Sequence, residues 1–334
     1  MSNNSGTAEV VAAPNPVLRI AKSSLQQIFV FAALAIIYLF FCFAAPNFAQ
    51  FGVALDIIQQ SAYIGVMALG ATFVIATSGI DLSSGTGMTL VAVFAGIFLS
   101  GDWMNLPLGG GLMLILLVGA LLGLVNGVNI SFLGLPPFIA TLAMMMAARG
   151  LALVLTNKST ISIKNPDYKW LAAGELIPGV ANAIPLFIIL AIIASVLLNK
   201  TLLGRYALAI GSNEEATRIS GVDTHRWKVL AYVICGLFTG ISGILMSSRL
   251  SAAQPTLGQG YEMYAIAAAV IGGTSLRGGR ASIFGAVIGA VTIQTIFNGL
   301  TIMGVQDQWQ KVVLGVVVLI AVVVDIVRRG GKEE

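Results

Sequence analysis

The amino-acid sequence predicts an all-α fold, a polytopic transmembrane helix bundle of about ten spans with both termini cytoplasmic. Hydrophobic residues fill 57% of the 334 positions and charged residues only 10%, against roughly 25% charged in soluble domains. Apolar runs near the ~20 residues that a spanning helix needs recur along the whole chain. Lysine and arginine gather on alternate connections, as the positive-inside rule requires of a membrane bundle.

Residues 1–20 are small, polar and proline-bearing, and are expected to form a disordered cytoplasmic tail. Residues 21–330 then make a single transmembrane domain. Its first apolar run has no evident cleavage site and is too long for a removable signal, so it is taken as a retained span. Apolar runs fall at 25–45, 57–77, 85–100, 110–131, 137–156, 184–199, 228–248, 261–276, 281–302 and 309–328.

Two connections are longer than a compact bundle needs: 157–183, expected outside, and 200–227, expected inside. Sidedness follows from basic residues. Arg19, Lys22, Lys200, Arg205, Arg218, Arg226, Lys228, Arg277, Arg280, Arg328, Arg329 and Lys332 share one side; Lys158, Lys164, Lys169 and Arg249 take the other. The net charge of +4 therefore speaks of topology and not of nucleic acid. Cys42 and Cys235 lie in separate apolar runs without metal-ligand spacing, and are read as small buried residues.

Small residues recur at four-residue spacing as Gly119, Gly123 and Gly127, as Gly236 and Gly240, and as Gly285 and Gly289. Such stripes let helix backbones approach closely in lipid, where packing drives association. The segments Gly79–Gly85 and Gly273–Gly279 share the spacing G-x-x-L-x-x-G, each between an inward and a returning span. An internal duplication, common in transporters, and a chance likeness of two glycine-rich turns both account for that echo.

The inside connection is punctuated like a short helix. Ser212 and Glu215 have the spacing of a capping box, and Gly221 supplies a stop. A helix of about eight residues does not stand alone in water, so it is expected to lean on its own bundle and on another protein.

Asp81 is expected near the membrane edge, either as part of a gate, with Gly79 and Ser83, or as a cap for the following helix. Asn126 with Asn129, and Gln294 with Asn298, place amides on one helical face each, facing another helix or a solute pathway. Arg149 within the fifth run needs a partner or water, and Glu262 is one partner for it. His225, beside Arg226 and Trp227, reads as an interfacial anchor.

Three stretches resemble the ribose-type permeases of ATP-binding cassette (ABC) sugar importers, which group with the branched-chain amino acid permeases. They are Ser78-Gly79-Ile80-Asp81-Leu82-Ser83-Ser84-Gly85, Gly134-Leu135-Pro136-Pro137-Phe138-Ile139-Ala140-Thr141-Leu142, and Gly211–Val222. The first usually begins Gly-Gly in that family; Ser78 departs from it while Asp81 is kept. Ala216 and Thr217 stand where two alanines often precede the arginine.

The resemblance implies a type II ABC importer-like bundle that translocates a sugar or sugar-like solute. It marks Gly211, Ser212, Asn213, Glu214, Glu215, Ala216, Thr217, Arg218 and Gly221 as the helix that couples to an ATPase. It also implies a second copy of the chain, two ATP-binding subunits or one fused double ATPase, an extracellular or periplasmic solute-binding protein, and a prokaryotic plasma (inner) membrane. ATP and Mg would sit on the partner and no cofactor on this chain, which has no G-x-x-x-x-G-K-[ST] and whose one Gly-Lys pair is Gly331-Lys332. An ion-coupled secondary transporter is the alternative; it needs ionisable groups deep in the spans, where few acidic residues fall. A membrane-embedded enzyme lacks any catalytic cluster, with one histidine in the chain.

Overall fold

The computed structural model describes residues 16–330, so most of the expected tail lies outside the described residues. The helices run α1 (Pro16–Ala44), α2 (Phe51–Ala76), α3 (Ser84–Leu99), α4 (Leu108–Ser131), α5 (Pro137–Leu155), α6 (Pro166–Ala173) and α7 (Ala183–Lys200). They continue as α8 (Leu202–Ser212), α9 (Glu214–Ile219), α10 (Thr224–Leu250), α11 (Tyr261–Ile271), α12 (Ile283–Ile302) and α13 (Asp307–Gly330).

Each of the ten apolar runs falls on one of these helices, α1 to α5, α7 and α10 to α13. Six of them (α2, α4, α5, α7, α10 and α12) are long and apolar enough to cross a membrane. The 28–44 part of α1, with α3 and α11, is apolar but shorter. A half-length helix is what glycine-rich turns such as 77–83 and 272–282 leave behind when they interrupt an apolar run.

Burial separates the hub from the shell. In the most apolar window of α2, 83% of residues are buried, against 22% in α4 and in α5. The centre thus belongs to α2, which packs against α7, α10, α11 and α12. The outer faces of α4, α5 and α7 expose Leu117, Val154, Ile188 and Ile192, as a lipid-facing shell does.

The glycine stripes are two sides of single contacts. A Cβ on Gly119 would lie 2.6 Å from the Gly236 carbonyl, and one on Gly123 would overlap the Tyr232 carbonyl, so α4 and α10 touch backbone to backbone. Gly285 and Gly289 do the same for α12 against Gly272, just past α11, and Ala268 of α11.

The long connection at 157–183 holds α6 and is tied down. Its strand β1 (Ile161–Ser162) pairs antiparallel with β2 (Ala252–Ala253) beyond α10. The Tyr168 hydroxyl lies 2.6 Å from Ser247 Oγ, and the Ser248 hydroxyl donates to the Tyr168 carbonyl at 2.6 Å. Burial pushes the Tyr168 pKa up.

Candidate functional site

The 200–227 connection holds two helices where one was expected. On α8, buried Leu203, Gly204, Ala207 and Ile210 form one stripe, which lays the helix against α2, α7 and α10. The chain breaks at Asn213, whose extended backbone (φ −160°, ψ 103°) makes it the N-cap of α9, and its Oδ1 accepts from the Ala216 N–H at 2.9 Å. The expected capping box is therefore corrected. Ser212 is still the last residue of α8, so its backbone is helical and cannot cap. Glu215 turns instead to Arg218, 2.6 Å away, and holds that guanidinium above its ordinary pKa.

The stop falls where expected, with Gly221 at φ +84°. Helix α9 has six residues, of which Thr217 alone is buried, while the apolar Ile219 is 77% exposed. Glu214 faces its own chain through Lys228, 2.6 Å away on α10. His225 bonds the Ser131 carbonyl through Nδ1 and stacks its ring on Phe132, tying the start of α10 to the end of α4.

Directly before α9 the chain meets both glycine-rich turns. The Ser78 hydroxyl lies within hydrogen-bond reach of two carbonyls, Arg277 at 2.7 Å and Gly211 at 3.2 Å, and the Gly279 N–H donates to the Ala76 carbonyl at 3.1 Å. Gly278 has no room for a Cβ against Ser78, and Gly211 none against the Ala76 carbonyl. The segment Gly273–Gly279 thus abuts Ala76 and Ser78, the residues just before the segment Gly79–Gly85, with the end of α8 wedged against both. Ser78 itself sits at φ +63°, in the left-handed region that explains a glycine at this place in the family pattern. Its hydroxyl bonds hold a conformation that its Cβ disfavours.

One step further in, Gly79 packs on Tyr232, whose hydroxyl donates to the Ile80 carbonyl at 3.2 Å. Asp81 follows, 5% exposed, beside the thiol of Cys235 at 3.6 Å, near the middle of α10. After α2 the chain turns at Thr77 and Ser78 and carries Asp81 to this buried place before α3 starts. As a cap, Asp81 acts from two residues before the N-cap of α3, which is Ser83. Its Oδ1 accepts from the Ser83 N–H (2.9 Å) and the Ser83 hydroxyl (2.6 Å), and Ser83 directly precedes the first residue of α3.

Asn126 of α4 completes this cluster, its Nδ2 2.8 Å from Ser83 Oγ and 3.5 Å from Asp81 Oδ1. Asn129 is half-buried on the same helix and takes no part in it. The second amide pair is helix-to-helix glue: Gln294 donates to Gln60 Oε1 of α2 at 2.8 Å, and Asn298 donates to the Gln294 carbonyl at 3.1 Å. The structure thus joins Gly79, Asp81, Ser83 and Asn126 and leaves Gln294 and Asn298 apart. Sequence reasoning missed Ser78, Tyr232, Cys235 and Gln60, whose partners lie more than 130 residues away in the chain.

Residues 53–322 match the model of a family described as branched-chain amino acid transport system / permease component. The chain is 41% identical over 285 residues to the ribose import permease of Escherichia coli K12, covering 84% of this chain and 88% of that protein. It is 36% identical over 299 residues to the D-allose transport system permease of the same strain, covering 88% and 90%. It is 38% identical over 274 residues to the fructose import permease of Bifidobacterium longum, covering 80% and 76%. No solved structure matches the chain significantly.

Proposed function

The chain belongs to the branched-chain amino acid transport system permease component family, and from that premise we propose that it is the transmembrane subunit of an ABC importer for a sugar or sugar-like solute. It is a transport permease and not an enzyme. A second copy pairs with it, ATP-binding subunits dock on the cytoplasmic side, and an extracellular or periplasmic binding protein delivers solute. Ten spans, cytoplasmic termini and a place in the prokaryotic plasma (inner) membrane go with this reading. Three relatives named as ribose, allose and fructose permeases favour a monosaccharide.

The observation that carries the mechanism is the wedge of Gly211 between the two turns. Helix α9 presents Glu215, Arg218 and Ile219 outward, and one residue, Asn213, separates it from α8. A displacement of α9 by a nucleotide-driven partner pulls on Gly211. Through Ser78 it reaches the end of α2, and through Arg277 and Gly279 the turn before α12. From Ser78 three residues lead to Asp81, whose bonds to Ser83 and Asn126 define one setting of the α3 start. A few discrete hydrogen bonds, each worth about 1–3 kcal/mol, can be exchanged for others in a second setting of that point on every cycle.

Ile219→Asp tests the docking. An exposed apolar side chain on a polar six-residue helix has the character of an interface anchor. Losing such an anchor costs about 2 kcal/mol or more, so copurification of the ATP-binding subunit is expected to fall at least about tenfold while membrane insertion is kept. Full retention of that subunit would remove α9 as the docking element.

A further inference from the structure

Between α3, α5 and the start of α11 lies a cavity of about 340 Å³, lined by Thr86, Met145, Met146, Arg149, Gly150, Leu153, Gln259 and Glu262. Its polar groups do not satisfy one another. Glu262 is 7% exposed, yet its Oε2 has no hydrogen-bond partner. That oxygen lies over Gly85, the last glycine of the first turn, where any Cβ would displace it. Arg149 is the expected partner, but the two line the same space without forming an ion pair. A narrow lobe adds the hydroxyl-bearing Thr89 and Thr256 beside Arg149 and Gln259.

A buried carboxylate oxygen left open is expensive to keep in an apolar bundle and marks a functional site by default; Arg149 stands at the exposed mouth of the same space. The volume sits at the small end of the roughly 300–1,000 Å³ of ligand pockets. The chemistry also fits a neutral, hydroxyl-rich solute. A carboxylate accepts from hydroxyls, a guanidinium donates to hydroxyl and ring oxygens, and amide and threonine groups do both. Together Glu262 and Arg149 bring no net charge to the site, which matches a neutral solute.

We infer that this cavity is the point on the route where the permease itself holds the passing solute, a monosaccharide-sized polyol, between Glu262 and Arg149. The inference rests on the importer reading above. The solute enters from the side of the 251–260 connection, which carries Thr256 and Gln259. The cavity's inner wall is Gly85 at the start of α3, four residues from Asp81 and packed without room for a Cβ against Glu262 and Gly258. Occupancy of the cavity and the setting of the α3 start are thereby linked.

The test uses the complete complex with its ATP-binding subunit and binding protein in proteoliposomes, and as probe whichever of ribose, allose and fructose the wild type carries. Glu262→Gln and Arg149→Gln keep size and are expected to copurify with the ATP-binding subunit, while uptake per complex falls about tenfold or more. Gly150→Cys supplies a readout that mere packing would not move, because a Cβ there meets no atom within 4 Å. With Cys42 replaced by alanine and Cys235 fully buried, a membrane-impermeant methanethiosulfonate is expected to block uptake, and the transported sugar delivered by its binding protein is expected to slow the labelling several-fold. Normal uptake in both charge variants, or complete labelling with uptake intact, would overturn the inference. A wild-type complex that carries none of the three sugars would instead count against the importer reading.

Discussion

Gly211→Ala adds one methyl group at the point where α8 meets both turns, and its effect follows from three contributions. The new Cβ would overlap the Ala76 carbonyl and press on the Gly279 N–H. These are backbone atoms that no rotamer change can move aside, so overpacking costs about 1–3 kcal/mol. Separating them lengthens the Gly279-to-Ala76 hydrogen bond, now 3.1 Å, which is worth about 1 kcal/mol. Position 211 is helical, and alanine there recovers about 1 kcal/mol of helix propensity. The net penalty is about 1–3 kcal/mol and falls on the seated arrangement of the wedge. Since ~1.4 kcal/mol is a factor of ten, the seated population drops by about five- to a hundredfold. Uptake per complex in proteoliposomes is expected to fall by a similar factor while the ATP-binding subunit still copurifies, because α9 lies outside the clash. Gly109→Ala, where a Cβ meets nothing within 4 Å, serves as the neutral control. Wild-type uptake by Gly211→Ala would refute the wedge as the transmitting contact.

Further perturbations separate the other parts of the site. Asn126→Ala removes the amide that bonds Ser83 and is expected to destabilise the purified chain by about 1–3 kcal/mol, seen as a lower melting temperature, with reduced uptake; stability and uptake both at wild-type level would leave the Asp81 cluster without a role. Ala216→Pro removes only the donor to Asn213 Oδ1, a loss of about 1 kcal/mol, whereas Thr217→Pro deletes the first intrahelical bond of α9 and costs about 3 kcal/mol. Retention of the ATP-binding subunit is therefore expected to suffer more from the second, and the reverse order would contradict Asn213 as the cap. Gln294→Leu leaves the Gln60 amide unpaired and is expected to cost stability, about 1–3 kcal/mol, without changing which sugar is carried; a changed sugar preference would move this pair into the pathway.

Much of the fold was legible because membrane helices advertise themselves through apolar length, and all ten runs became helices. The glycine stripes at 119–127 and 236–240 were legible too as close-packing faces, while their meeting each other came from the structure. The start of α9 was not, since Ser212 and Asn213 are both capping residues and the choice depends on where α8 ends. The stripe of Leu203, Ala207 and Ile210 was the available sign of α8. The burial of Asp81 was hidden because local sequence does not say that the turn between α2 and α3 packs inside the bundle beside α10. Long-range pairings such as Ser78 with Gly211 and Arg277, 133 and 199 residues apart, leave no local pattern at all. Nor was Glu262 recognisable as an open carboxylate, since the room for it is made by Gly85 in a different turn.

The central claim, an ATP-driven import of sugar with α9 as the transmitting element, meets its most direct test in proteoliposomes holding this chain with its ATP-binding subunit. ATP is supplied on the α9 side, the loaded binding protein on the other, and ionophores collapse every ion gradient. Accumulation of labelled sugar is expected to continue under ionophores, to stop when the ATP site of the partner is disabled, and to be lost with Ile219→Asp. Uptake that survives without the ATP-binding subunit and vanishes with the ion gradient would contradict the account.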